Sequence, residues 1–126
     1  MVRPFNDAEL ALLLHLAARA DDADVLRAQI AVAQYDKPWF EGSQSFDIVV
    51  VGDVPRYSAG SDIGGGRQIL PGCSVRVDGS APDSDTNYIG EVFLWVIDGL
   101  LDSLEYPWVT DEMPTSLPRL DQLAND

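Results

Sequence analysis

The chain has 126 residues, of which 46% are hydrophobic, and it carries a formal net charge of −13. This length predicts one domain over residues 1–126, with enough buried surface to fold without metals or disulfides. Binding to a phosphate backbone or an anionic membrane needs clustered basic side chains. The eight lysines and arginines are scattered among 21 acids, so neither nucleic acid nor membrane is expected as a partner.

The sequence also predicts a cytoplasmic protein. It has no signal-peptide pattern, no lipidation motif and no apolar run near the roughly 18 residues that a membrane span needs. A single cysteine, Cys73, excludes an intramolecular disulfide and is compatible with a reducing compartment.

Two helices are predicted at the start of the chain. Asn6 and Glu9 are spaced as in a capping box, and an apolar stripe follows at helical spacing. The stripe comprises Leu10, Leu13, Leu14 and Ala17. A second helix is predicted to start at residues 21–24, where acids favour the positive end of a helix, and to end at Lys37-Pro38. Since few residues join the two helices, they are expected to form an antiparallel hairpin.

The middle of the chain favours strands and a long loop. Residues 46–51 are a β-branched run too short for a helix, and residues 74–77 resemble a short strand. The loop between them contains the triplet of residues 64–66 followed by Arg67. The triplet looks like a phosphate loop but lacks its lysine and a following helix, so a flexible connection is favoured. If this loop binds a ligand, Arg67 is the expected anchor.

The strongest strand pattern is Tyr88–Ile97, which is apolar on both faces and therefore predicts a central strand covered on both sides. The dipeptide Asp98-Gly99 that follows predicts a hairpin turn. Residues 100–109 are predicted to form the returning strand, and Pro107, which lacks an N–H, places this strand at an edge or a bulge.

The predicted architecture is α+β. A helical hairpin is expected to pack on one face of a mostly antiparallel sheet of about four strands. Residues 117–123 of the tail are predicted to form one short helical turn. The sequence shows no internal repeat and no composition typical of a linker.

No catalytic or metal-binding constellation is predicted. His15 is the only histidine, and a zinc site without a second histidine or more cysteines would be unusual. Cys73 has no basic neighbour in the sequence to activate its thiol. We therefore expect no catalytic residue, no metal and no cofactor.

The acids concentrate in residues 78–126, which carry eleven acidic side chains and one basic one and so contribute −10 of the net charge. Aromatic anchors beside acids are typical of protein interfaces, and acids steer basic partners. The candidate protein-binding residues are Glu105, Tyr106, Trp108, Asp111 and Glu112. The alternatives are a solvated acidic face, or carboxylates that act as acid and base or hold a cation.

Residues 90–106, followed by residues 111–114 and 117–118, resemble a family of small uncharacterised actinobacterial proteins. Members have a helix rich in glutamate and leucine near the N-terminus, then an apolar strand, an Asp-Gly turn, a Leu-Glu pair and a Leu-Pro tail. The resemblance implies a bacterial protein with this hairpin and carries no activity. Many members have a cysteine cluster in the middle region, where this chain has only Cys73. In size and acidity the chain is similar to immunity proteins of bacterial toxin systems, which is an analogy.

Three functions follow from these patterns. The leading hypothesis is a non-enzymatic acidic domain that binds a basic protein, as an immunity-type inhibitor covers a basic toxin domain. The second is a small ligand-binding domain or enzyme with a pocket between helices and sheet, using Glu105, Arg67 and either Tyr57 or Tyr88. The third is a self-associating structural protein that forms a homodimer through the edge strand near Trp108.

Overall fold

A computed structural model describes residues 2–60, 62–81, 84 and 86–124. Over this part of the chain the fold is α+β, with two α-helices and one antiparallel sheet, as predicted. The sheet has seven strands, so the expectation of about four is wrong. The elements are α1 (Asp7–Ala17), α2 (Ala23–Ala31), β1 (Ala33–Pro38), β2 (Phe46–Val50), β3 (Arg67–Ile69), β4 (Cys73–Arg76), β5 (Tyr88–Ile97), β6 (Leu100–Glu105) and β7 (Leu123–Ala124).

Helix α1 begins with the predicted capping box. The Asn6 side chain accepts a hydrogen bond from the Glu9 backbone N–H at 2.8 Å, and the Glu9 carboxylate accepts one from the Asn6 N–H at 2.9 Å. The same carboxylate pairs with both terminal nitrogens of Arg3 at 2.8 Å, which ties the N-terminal segment to the helix. The predicted stripe of α1 is right at Leu13 and Ala17 and wrong at Leu10 and Leu14, because the buried face of the helix also includes Leu12 and Leu16. Leu10 and Leu14 are exposed, and the buried residues are Leu12, Leu13, Leu16 and Ala17.

The second helix is shorter than predicted. It ends at Ala31 rather than at Pro38, and the residues that follow form β1. Strand β1 pairs with β2 in antiparallel register, with Ala33 opposite Val50 and Pro38 opposite Phe46. Long-range pairing with the β-branched strand therefore overrides the local helical pattern.

The order of the main strands in the sheet is β1-β2-β6-β5-β4-β7, and β3 pairs with β5 on the same edge as β4. Asp98 and Gly99 have positive φ angles of 52° and 82°, as the predicted tight hairpin between β5 and β6 requires. Strand β6 lies between β2 and β5 and ends before Pro107, so the expectation that this strand lies at an edge is wrong. The predicted helical turn of the tail is a 3₁₀ turn over Leu120–Gln122.

The two faces of the sheet have different environments. Both helices pack on the inner face, where alternate residues of β5 are fully buried: Val92, Leu94 and Val96. Gln29 of α2 is also buried there and hydrogen-bonds to the backbone of Gly99 and Leu101. On the outer face, the other β5 residues are only partly buried: Phe93, Trp95 and Ile97. The prediction that β5 is covered on both sides is therefore wrong, because no described helix packs on the outer face.

Candidate functional site

All three tryptophans of the chain line two hollows that share Trp39, with Trp95 in the one on the outer face of the sheet and Trp108 in the one at the end of β6. Trp39 is 41% exposed, Trp108 is 36% exposed and Trp95 is half-buried. Phe40, next to Trp39, is 48% exposed. Concentrations of exposed aromatic side chains are uncommon on monomeric proteins and typically mark binding surfaces. We call this the aromatic face.

Three separate segments bring these rings together. Trp39 starts the turn after β1, where its backbone N–H donates to the Ser45 carbonyl at 3.1 Å. Trp95 reaches the outer face because side chains alternate along β5. Trp108 follows the end of β6 and forms an isolated bridge with Gly90.

Gly90 is what allows the Trp108 segment to lie so close to β5. A Cβ atom at this position would lie 2.0 Å from the Pro107 carbonyl oxygen and 2.9 Å from the Trp108 Cα. These are backbone atoms that a rotamer change cannot move. A glycine is therefore needed for the position of Trp108.

Two hollows open on the aromatic face, and Trp39 lines both. The first has a volume of about 210 Å³ and is lined by Trp39, Arg67, Trp95, Ile97, Asp102 and Ser103. We call it the Asp102 hollow. The second has a volume of about 250 Å³ and is lined by Trp39, Phe40, Ser45, Glu105, Tyr106, Pro107 and Trp108. We call it the Glu105 hollow. Each hollow thus combines two tryptophans with one carboxylate.

A β-bulge places Asp102 in its hollow. Trp95 pairs with Ser103 and Val96 pairs with Leu101, so Asp102 is the extra residue of β6. Strict alternation would turn residue 102 to the inner face when Ser103 faces outward. Because the bulge interrupts the alternation, Asp102 and Ser103 both line the same hollow.

A hydrogen bond joins the Glu105 carboxylate to Trp95, which lines the Asp102 hollow. The Trp95 indole N–H donates to Glu105 Oε1 at 2.8 Å. An indole N–H can only donate, and a carboxylate can only accept, so the bond defines the orientation of both groups. The two hollows are therefore linked through Trp95 and Glu105 as well as through Trp39.

The Asp102 carboxylate lies in an environment that disfavours its charge. Burial raises the pKa of Asp102, and the nearby Asp47 carboxylate raises it further, while a hydrogen bond with Ser103 acts in the opposite direction. Desolvation and a like charge both penalise the ionised form of an acid. A cation bound in this hollow would relieve the penalty.

The structure divides the five predicted protein-binding residues into three groups. Glu105 and Trp108 line the Glu105 hollow. Asp111 and Glu112 are exposed on the segment that follows. Tyr106 is only 3% exposed and belongs to the core, where its backbone N–H donates to Ser45 Oγ at 2.8 Å and burial raises the pKa of its hydroxyl to about 12. Its side chain is therefore a support for the hollow and not a surface anchor.

Sequence reasoning did not select Trp39, Trp95 or Asp102. Trp95 was assigned to a covered face because its neighbours on the strand are apolar. Trp39 follows the predicted end of the second helix at Pro38, and Asp102 is one of several acids near the predicted hairpin. The available signal was that Trp95 and Trp108 both fall within predicted strands.

The residues proposed for a pocket between helices and sheet do not meet. Glu105 and Arg67 lie on the outer face, whereas Tyr57 is buried and its N–H bonds to the Gly99 carbonyl at 2.8 Å. The core beneath the helices is filled by side chains with almost no exposure, including Leu13, Leu16, Leu26 and Leu94. A hollow of about 580 Å³ opens between α1, the end of α2 and β1, and none of the proposed residues lines it.

The remaining candidates are structural in the described part of the chain. The Gly64 and Gly66 N–H groups donate to the Asp62 carboxylate at 2.6 and 3.2 Å, so this loop is organised by its own acid. Cys73 is buried and, as the single cysteine of the sequence, forms no disulfide within the chain. Among the described residues, no three histidines, cysteines or acids form a group that could hold a metal ion, and no helix has the length and apolarity to cross a membrane.

Comparisons of the chain with protein-family models, with curated proteins and with solved structures find no match.

Proposed function

We propose that this chain is a non-enzymatic, acidic protein-binding domain that covers a basic protein with its aromatic face. The class of partner that fits best is a basic toxin domain, so the chain would act as an immunity-type inhibitor. Inhibition would follow from covering the partner's surface, without chemistry on either protein.

One observation carries the proposal. Three tryptophans from separate segments, all at least partly exposed, line two hollows that share Trp39, and each hollow also contains a carboxylate. Tryptophan is enriched among the few residues that supply most of the binding energy at interfaces. Exposing these rings to water is unfavourable, so an uncovered aromatic face favours a role in binding.

The charge of the chain supports a basic partner. With a net charge of −13, the domain attracts positively charged proteins over distances of about one Debye length, roughly 8–10 Å at physiological salt. Exposed carboxylates such as Asp111 and Glu112 would accelerate association more than they strengthen the final complex.

The test is co-expression with the product of the neighbouring gene, followed by measurement of association and dissociation rates at low and high salt. We expect added salt to reduce the association rate. We expect Trp39→Ala and Trp108→Ala to accelerate dissociation about tenfold or more, since hot-spot residues contribute about 2 kcal/mol or more each. The control is Leu14→Ala, which truncates a similarly exposed apolar side chain on α1. Absence of binding to any basic neighbour, or equal effects of all three substitutions, would contradict the proposal.

Self-association is a second candidate, favoured by the position of β1. This strand is the outermost on its side of the sheet, and an isolated bridge joins its Tyr35 to Arg3. Trp108 does not lie on an edge strand, so a homodimer through strand pairing would use β1. Light scattering across a range of concentrations distinguishes this role, because a dimer through β1 would form without any partner.

A further inference from the structure

We propose that the Asp102 and Glu105 hollows each receive one arginine side chain from a single extended basic segment of the partner. This inference rests on the proposed function and specifies what the aromatic face recognises. The recognised group is a guanidinium stacked on tryptophan and paired with a carboxylate.

The walls of both hollows suit a cation. A guanidinium or ammonium over an indole face is attracted by about 0.5–2 kcal/mol, and tryptophan is the best aromatic partner for it. Trp39 and Trp95 line the first hollow, and Trp39 and Trp108 line the second. Arginine fits better than lysine because its planar group stacks on rings and donates two parallel hydrogen bonds to a carboxylate.

Each hollow also provides the carboxylate. Asp102 is held in the first by the bulge of β6, next to Asp47, and a guanidinium there would offset the repulsion between the two acids. Glu105 is oriented in the second by the Trp95 indole, which engages only Oε1. A carboxylate has two acceptor oxygens, so Glu105 retains capacity to pair with an incoming cation.

The size of the hollows argues for single side chains. Their volumes of about 210 and 250 Å³ lie below the roughly 300 Å³ at which small-molecule pockets begin. An extended segment projects alternate side chains to the same side, so arginines separated by one residue can enter neighbouring hollows. Arg67 also lines the first hollow, and its Nε–H donates to the Gly64 carbonyl at 3.0 Å, which directs the guanidinium towards the loop.

The test uses a short blocked peptide in which two arginines are separated by a serine, titrated into the full chain while tryptophan fluorescence is followed. Matched peptides carry lysine or neutral citrulline in place of arginine. We expect arginine to bind more tightly than lysine, and citrulline, which has the same shape without the charge, to bind at least about tenfold more weakly than arginine.

Variants of the protein locate the binding site. Trp39→Ala is expected to weaken binding of the arginine peptide about tenfold or more, because this ring lines both hollows. Asp102→Asn and Glu105→Gln are each expected to weaken binding of the arginine peptide about three- to tenfold. Asp7→Asn is the matched control, since it removes the same charge from α1 on the other side of the sheet. Thermal unfolding of each variant verifies that it is folded.

The outcomes separate this inference from the proposed function. If lysine and arginine peptides bind equally, or if Asp7→Asn weakens binding as much as Asp102→Asn, the hollows are not arginine sites and the inference is overturned. If the basic partner nevertheless binds and responds to Trp108→Ala, the proposed function stands without it. If the arginine peptide shows the expected pattern but no basic protein binds, the hollows are confirmed as arginine sites and the proposed function fails.

Discussion

Gln29 is expected to be one of the most important polar residues for stability, although it lies far in sequence from the groups that it contacts. It is fully buried on α2. Its Nε2 donates to the carbonyls of Pro55 at 3.0 Å and Gly99 at 2.8 Å, and its Oε1 accepts from the Leu101 N–H at 2.9 Å. The side chain thus joins the helix, the long loop and the β5–β6 turn.

The substitution Gln29→Leu preserves the approximate size and removes all three bonds. A buried N–H left without a partner costs about 1–3 kcal/mol, and each lost neutral hydrogen bond about 1 kcal/mol. Part of this loss is offset because leucine is easier to desolvate. We therefore expect a net destabilisation of roughly 2–4 kcal/mol, a large part of the 5–15 kcal/mol typical of a domain.

Urea unfolding of the wild type and the variant measures this difference from the midpoint and the slope. Hydrogen exchange gives an independent check, because the Leu101 amide should lose protection in the variant. The control is Gln34→Leu, the same change at a half-buried position of β1, where we expect an effect within about 1 kcal/mol. A Gln29→Leu effect no larger than that of the control would refute the reasoning.

Three further predictions concern the hairpin and its surroundings. Gly90→Ala is expected to lower the free energy of unfolding by about 1–3 kcal/mol and to change tryptophan fluorescence, because the new Cβ displaces the Trp108 segment. Unchanged stability and fluorescence would contradict this prediction. The pKa of Tyr106 is about 12 in the fold and about 10 in the unfolded chain. The free energy of unfolding should therefore fall by roughly 2–3 kcal/mol in total as pH rises through this interval. Urea unfolding at each pH measures this fall, which should be smaller for Tyr106→Phe. The pKa of Asp102 is raised in the fold, so its ionisation lowers stability as pH rises above its ordinary value of 3.8. Asp102→Asn should therefore be more stable than the wild type at neutral pH and should lose this advantage below pH 3.8. If the variant remains more stable in acid, the charge of Asp102 is not the cause of the difference in stability.

The elements that could be predicted from the sequence depend on local signals. The capping box of α1 needs only Asn6 and Glu9, and the β5–β6 hairpin needs only Asp98-Gly99 between apolar runs. Both are present as predicted. The tail turn at Leu120–Gln122 is also local, since it closes through the Arg119 carbonyl and the Gln122 N–H at 3.0 Å.

The elements that the sequence did not reveal depend on distant partners. Strand β1 forms because β2 offers it a paired edge, which competes successfully with the helical pattern of the same residues. Strand β7 has two residues and exists only through its pairing with β4. Short strands of this kind have no periodicity that a pattern could detect.

The candidate site was predicted only in part, for the same reason. Glu105 and Trp108 could be selected because an acid and an aromatic residue stand close together in the chain. Their companions could not, since Trp39 reaches the aromatic face from another hairpin. Tyr106, between Glu105 and Trp108 in the sequence, turned out to be buried, because sequence proximity does not determine which way a side chain faces at the end of a strand.

The sequence by itself determined the α+β class, the capped first helix, the central hairpin and the strong acidity of the chain. These properties depend on composition and on interactions between residues a few positions apart. Only the tertiary structure decided that three tryptophans and two carboxylates line two hollows that share Trp39. The physical reason is that strand pairing, a bulge and a close approach at a glycine set the direction of side chains, and each depends on residues far apart in the chain.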